Sequence, residues 1–233
     1  MRSLVDGTDA LGLILSGDPK LFAIVRLSLL VSLTATGLAA VLALPLGALL
    51  GVARFRGRDG VIVLCNGLMG LPPVVVGLVA FLLLSRSGPL GAFGLLFTPQ
   101  AMVLAQIILV APILIALTRQ VVEDLWDEYR DELTAMNLGA FTAVPALLWD
   151  ARFPLATILL AGFGRAAAEV GAVIIVGGNI DGYTRLMTTS IALETSKGNL
   201  PLALSLGIIL MGLVLAVNAF AWTIRRWSEA VAG

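Results

Sequence analysis

Arg165 and Glu169 stand four positions apart inside an otherwise apolar run from about Leu155 to Val176. Charges at such depth in a hydrophobic segment are costly, so they face a protein interior and pair. The i, i+4 spacing puts both on one helix face, although Arg before Glu is the less favourable order. A guanidinium could meet an anion there, but the neighbouring carboxylate would repel it. The spacing therefore points to a structural or gating pair more than to a bare anion site. A second concentration of polar chemistry lies between Arg119 and Pro154, where Glu123, Asp124, Asp127, Glu128, Asp131, Glu132 and Asp150 cluster. These acids have no His or Cys among them. The sequence holds no histidine at all, and Cys65 stands alone in an apolar run. No disulfide, thiolate metal site or imidazole base can be built within the chain. No catalytic and no metal-ligating residue is expected. No G-x-x-x-x-G-K-[ST] phosphate loop occurs either, so the chain is not itself an ATPase of that type.

The elements that position these residues follow from composition. Hydrophobic residues make up 59% of 233 positions and charged residues 13%, with mean hydropathy +1.01. A soluble domain carries about 25% charged residues because its surface must meet water. A chain this poor in charge has lipid as its solvent. The formal charge is +0, which gives no electrostatic reason to expect nucleic acid as a partner. The first residues lack a basic segment with a small-residue cleavage site, so no cleaved signal peptide is expected.

A bilayer core of about 30 Å needs roughly 20 apolar residues in a helix. Five stretches qualify, at about residues 27–53, 60–84, 99–117, 155–176 and 201–223. The fold class expected is an all-α polytopic membrane protein, with residues 1–20 as an N-terminal interfacial segment and 21–228 as one transmembrane domain. In that segment Leu11, Ile14 and Leu15 can share a helical face, with Asp9 as N-cap and Asp18-Pro19 turning into the first span. Arg54, Arg56 and Arg58, then Arg119, Arg130 and Arg152, then Arg225 and Arg226 fall on one side. The positive-inside rule makes that side cytoplasmic, with the N-terminus outside and the C-terminus inside.

Four local features refine this plan. Val122, Leu125, Trp126, Tyr129, Leu133 and Met136 recur at helical spacing, so the acidic segment is an amphipathic helix. Leu138-Gly139-Ala140 interrupts it, and a second short helix is expected from about Thr142 to Trp149, with Pro145 in its first turn. Helix, sharp turn, helix is more than a connector between two spans requires. In the second span Pro72 and Pro73, with Gly70 and Gly77, mark a kinked, closely packed segment beside a possible pathway. Gly47 and Gly51, like Gly162, Gly164 and Gly171, suit close helix packing. The segment 177–201 reads as a polar outer loop, in which Asn179, Thr184, Arg185, Thr188 and Thr189 could line a vestibule or receive a partner.

Glu132-Leu133-Thr134-Ala135-Met136-Asn137-Leu138-Gly139, followed by Phe153-Pro154, resembles the coupling loop of ABC-importer permeases. Aligned on Gly139, the family's glutamate position holds Leu133 and its first alanine position Thr134, while Glu132 sits one place early. Gly70-Leu71-Pro72-Pro73-Val74-Val75-Val76-Gly77 resembles an element of molybdate and tungstate permeases. Gly162 to Ile180, Thr184 to Thr189 and Ala192 to Asn199 look like the tungstate branch, and the similarity extends back to Ser16-Gly17-Asp18-Pro19. The resemblance implies a type I transmembrane domain of an ABC importer in a bacterial inner membrane, working as a homodimer. It further implies two copies of a separate ATPase subunit, which would hold ATP and Mg, and a periplasmic tungstate-binding protein. On this chain it implies no cofactor. The coupling residues would be Glu132, Ala135, Leu138, Gly139, Ala140 and Pro154. Pro72, Pro73, Gly77, Arg165, Glu169, Asn179, Thr184, Arg185 and Thr188 would be the pathway or gate. Molybdate, then sulfate, are the alternative substrates. A membrane enzyme would need metal-ligand or nucleophile spacing that is missing. An ion-coupled secondary transporter would show inverted repeats and several intramembrane charges.

Overall fold

The computed structural model describes residues 10–136 and 138–232. The expected cap Asp9 and Asn137 of the coupling motif lie outside them. All regular structure among the described residues is helical. A short helix, α1, covers residues 10–15. It is followed by α2 (Pro19–Val52), α3 (Arg58–Met69), α4 (Pro73–Leu84), α5 (Pro99–Ala135), α6 (Ala140–Asp150), α7 (Arg152–Ala167), α8 (Gly171–Gly177), α9 (Met187–Lys197) and α10 (Leu200–Ala232). Three helices are long and apolar enough to cross a membrane, and counting each of two bent pairs as one span raises the number to five. Those pairs are α3 with α4 and α6 with α7.

The chain forms two compact units. One comprises Met1–Ala35, Pro72–Gln106 and Arg165–Ala216; the other comprises Thr36–Leu71, Ile107–Gly164 and Val217–Gly233. In the first unit, Asp18 caps α2. Its carboxylate accepts from the backbone N–H of Lys20 and of Leu21, both at 2.9 Å, and Pro19 supplies a first helical residue that needs no donor. Helix α2 thus starts eight residues before the charge-free run that begins at Leu27. Its 34 residues make it about 51 Å long, more than a bilayer core requires. Leu21, Ile24, Met187 and Leu206 form a buried cluster, with Ile14 packed on it. Leu11 and Leu15 of the N-terminal segment are exposed.

In the second unit, Ala48, Val52, Val122, Trp126, Ala143, Val144 and Leu147 make a core, with Leu125, Tyr129 and Leu133 packed against it. Of the amphipathic set in α5, Met136 alone is left exposed. The third span and the acidic segment, expected as separate helices, are one continuous helix of 37 residues. Nothing in Thr118 to Val121 breaks helical geometry, and the helix is held beyond the apolar stretch by that core. Pro145 lies in the second turn of α6 and not the first, because α6 starts at Ala140.

Gly47 and Gly51 do form a packing stripe. A side-chain carbon on Gly47 would lie 2.7 Å from the Ile115 carbonyl oxygen, and one on Gly51 would lie 3.0 Å from that of Arg119. Gly162 faces Leu114 in the same way, whereas Gly37 and Gly164 have open space. Two expectations need correction. The second span is not merely kinked: α3 ends at Met69 and α4 begins afresh at Pro73, with Pro72 extended at φ −65°, ψ 122°. The fourth span is not continuous either, since α7 stops at Ala167 and α8 starts at Gly171.

Candidate functional site: the broken fourth span and the helical hairpin

The break between α7 and α8 leaves backbone groups that lipid could not satisfy. Three of them are met by side chains. The Gln106 amide donates to the Ala166 carbonyl at 3.0 Å, and the Thr188 hydroxyl donates to the Glu169 carbonyl at 2.8 Å. The Glu169 carboxylate divides its two oxygens. One accepts from the Ala172 backbone N–H at 3.1 Å, as a helix cap would, and the other accepts from Arg165 at 2.6 Å. Glu169 is 3% exposed and Arg165 35%, so the carboxylate is sealed while the guanidinium retains an open side. The expected pairing is therefore present, and the carboxylate also terminates the break.

All nine pathway candidates fall in the first unit, and Arg165, Glu169 and Thr188 bond directly at the break. Pro72 and Pro73 open α4, and Gly77 lies against α8. A side-chain carbon on Gly77 would lie 2.8 Å from Cα of Ala172, and one on Gly171 would lie 2.9 Å from a Val74 methyl. Helices α4 and α8 thus touch backbone to backbone. Asn179 follows Gly178 in the left-handed region at φ 50°, a conformation Asn tolerates better than most residues. The Thr189 hydroxyl donates to its side-chain oxygen at 2.9 Å. Thr184 donates to the Gly177 carbonyl and accepts from the Ile180 N–H. Arg185 bonds Asp181 at 3.0 Å. The hydroxyls of Thr184, Thr188 and Thr189 are therefore already committed to closing helix ends.

The segment read as a polar loop contains α9, a helix of 11 residues with Thr188, Thr189, Ser190 and Glu194 buried. Its polarity concealed it, because Thr188, Thr189 and Glu194 are bonded within the protein and the Ser190 hydroxyl is buried. The Glu194 carboxyl is held below its ordinary range, chiefly by the hydrogen bond from Asn199 at 2.9 Å and then by Lys197, with burial opposing. Gln106 and Glu194 were missed in the sequence. Gln106 had a readable signal as an amide in the middle of the apolar run 99–117; Glu194 had none.

In the second unit, α5 and α6 form a helical hairpin. Glu132 and Ala135 are exposed on the last turns of α5, Leu138 is half-buried in the turn, and Ala140 packs on the core. Gly139 caps α6 at φ −72°, ψ 159° with no atom nearer than Thr142 Oγ1, 3.8 Å from where a side chain would begin. That extended conformation suits any residue, so this glycine is not demanded by the turn. Its effect is to leave the surface bare, between the exposed side chains of Met136 and Phe141. Pro154, in the first turn of α7, lies beyond the far end of α6, about 16 Å along the helix. The phenol of Tyr129 is pushed up, first by the Asp150 carboxylate and then by Glu128.

Another cluster escaped the sequence reading. Arg58 is buried and donates to the Leu50 and Gly51 carbonyls at the end of α2 while pairing with Glu123 at 2.6 Å. Arg119 also pairs with Glu123, and Arg54 reaches Glu123 at 3.7 Å and Asp127 at 3.5 Å. The Arg119–Glu123 spacing of four was the available clue. Among the described residues no group of acids, Cys or His could hold a metal ion.

Several long apolar helices, with a buried carboxylate paired to an arginine at a broken span, define a multi-pass all-α membrane protein. No protein-family model matches the chain. It is 44% identical to a probable anion ABC transporter permease protein of Haloferax volcanii, over 88% of this chain and 90% of that one. It is 39% identical to the tungstate uptake system permease protein TupB of Peptoclostridium acidaminophilum, over 93% of this chain and 95% of that one. The sulfate transport system permease protein CysT of Salmonella typhimurium is more distant, at 26% identity over 83% of this chain. The chain belongs to the ABC transporter permease family.

Proposed function

We propose that this chain is the membrane-spanning subunit of an ATP-driven importer that carries tungstate inward. The observation that carries the substrate is the 39% identity, over nearly the full length of both chains, to a permease named for tungstate uptake. The reading makes it a homodimer in the cytoplasmic membrane, N-terminus outside, served by a tungstate-binding protein on the outer face. Two copies of a separate ATPase subunit, holding ATP and Mg, dock on the inner face. The α5–α6 hairpin is the docking element. The bare surface at Gly139, flanked by Met136 and Phe141, seats in the ATPase, and the exposed acids Asp124, Asp127, Glu128, Asp131 and Glu132 run along α5 toward it. Motion of α6 passes to α7 and hence to the break at Glu169.

In this scheme the Arg165–Glu169 pair and Thr188 form the gate. Helix breaks at membrane depth are the points where a span can bend without losing a run of hydrogen bonds. The open side of the Arg165 guanidinium gives a passing dianion a transient contact, and the adjacent carboxylate keeps that contact weak enough for release. Pro72, Pro73 and Gly77 let α4 follow α8.

The test is uptake in cells lacking their own oxyanion importers, with this chain, its ATPase and its binding protein expressed together. Tungstate and molybdate are offered singly and mixed, and cell metal is read by mass spectrometry. Tungstate accumulation that requires an active ATPase is the expected result. Equal accumulation of both anions would move selection to the binding protein, and uptake of neither by an assembled complex would overturn the proposal.

A further inference from the structure

A cavity of about 520 Å³ lies in the first unit, between the first turns of α2 and residues 181–185. Its polar wall is cationic. Lys20, Arg26 and Arg185 line it against a single acid, Asp181. Asp181 is engaged by Arg185, whose Nε is nevertheless buried without a hydrogen-bond partner. Lys20 and Arg26 have no ion-pair partner among the described residues. Apolar side chains of the same helix, Phe22, Leu27 and Leu30, line the cavity beside Lys20 and Arg26. Phe22 and Leu30 are exposed, and apolar exposure continues along α2 through Leu33.

We infer that this cavity binds the phosphate headgroup of an anionic phospholipid, with an acyl chain laid along the apolar face of α2. Three features point that way. The cations sit in the helix turns immediately before the charge-free run from Leu27, so they fall at the membrane–water boundary once α2 spans the bilayer. Two of them have no ion-pair partner among the described residues, and cations at the depth of the headgroups attract an anionic lipid. A small soluble oxyanion would use the cations but not the exposed apolar side chains of α2 that run on from them. The assignment rests on α2 being a span and is independent of which anion the importer carries.

The test is native mass spectrometry of the full chain in detergent, titrated with phosphatidylglycerol or phosphatidylcholine, with and without inorganic phosphate. Wild type should form phosphatidylglycerol adducts at a concentration on the order of tenfold lower than phosphatidylcholine. The double variant Lys20→Gln/Arg26→Gln should lose that preference. Lys20→Arg/Arg26→Lys, which keeps both charges, should retain it and so separates charge from misfolding. Equal adducts of the two lipids in wild type, or a preference that survives the neutral variant, would overturn the assignment. Displacement of phosphatidylglycerol by inorganic phosphate would reassign the cavity to a soluble anion.

Discussion

At the residue scale the decisive arrangement is the Glu169 carboxylate, sealed from solvent and held by two donors of different kinds. Arg165→Ala removes one of them and leaves a buried charge half compensated, so it should lower stability by roughly 3–5 kcal/mol. Adding Glu169→Gln should restore much of that loss. Melting of both variants in detergent checks it, and equal impairment would sink the pairing argument. Gln106→Leu removes one of the two donors on the Ala166 carbonyl, leaving the Glu169 N–H at 3.1 Å, and should cost about 1 kcal/mol, read as melting temperature in detergent. Glu194 gives a pH signature. Its carboxyl is held below the ordinary value by Asn199 and Lys197, so its contribution is complete above the unfolded pKa of about 4.3. It is lost as pH falls through the lower folded value. The acid-side loss of stability should therefore shrink in Glu194→Gln, measured as melting temperature against pH.

At the scale of elements, contact between α4 and α8 depends on Gly77, where any side chain meets the backbone of Ala172. Gly77→Leu should disrupt that contact at a cost of about 1–3 kcal/mol or more, seen as poor recovery of folded protein by size-exclusion chromatography. Gly139 predicts a contrasting outcome. Open space surrounds it and its backbone suits any residue, so Gly139→Arg should leave melting unchanged while abolishing co-purification of the ATPase and uptake. Normal uptake by that variant would remove the hairpin from the coupling role. The two glycines look alike in sequence. Gly77 has a function in packing, Gly139 in leaving a surface bare, and only their neighbours distinguish them. The spans and the amphipathic face of α5 were readable, because apolar runs and helical spacing are local. The breaks at 70–72 and 168–170 were readable as anomalies, prolines in one and charges in the other, but not as full interruptions. Whether a helix bends or stops depends on whether side chains elsewhere can satisfy the freed backbone, as Gln106 and Thr188 do.

At the scale of the whole molecule, the proposed orientation places Cys65 of α3 near the inner face and residues 181–185 outside. The chain's single cysteine can be moved to test this. Cys65→Ser/Asp181→Cys in intact cells should react with a membrane-impermeant maleimide, and Cys65→Ser/Asp127→Cys should not until the membrane is opened. The reverse pattern would invert the topology.

By itself the sequence determined that this chain lives in lipid and is helical, that it hydrolyses no ATP through a phosphate loop, and that its chemistry gathers in one charged pair and one acidic segment. Composition, periodicity and motif spacing decide those matters within a few turns of chain. Tertiary structure decided the rest. It extended α5 without interruption into the hairpin, turned a polar loop into buried α9, and drew Arg54, Arg58 and Arg119 onto Glu123. The reason is the same in each case. A polar group's role in a membrane protein is set by whichever backbone end or opposite charge lies beside it in space, and the partner can stand as far along the chain as Arg58 does from Glu123, 65 residues away.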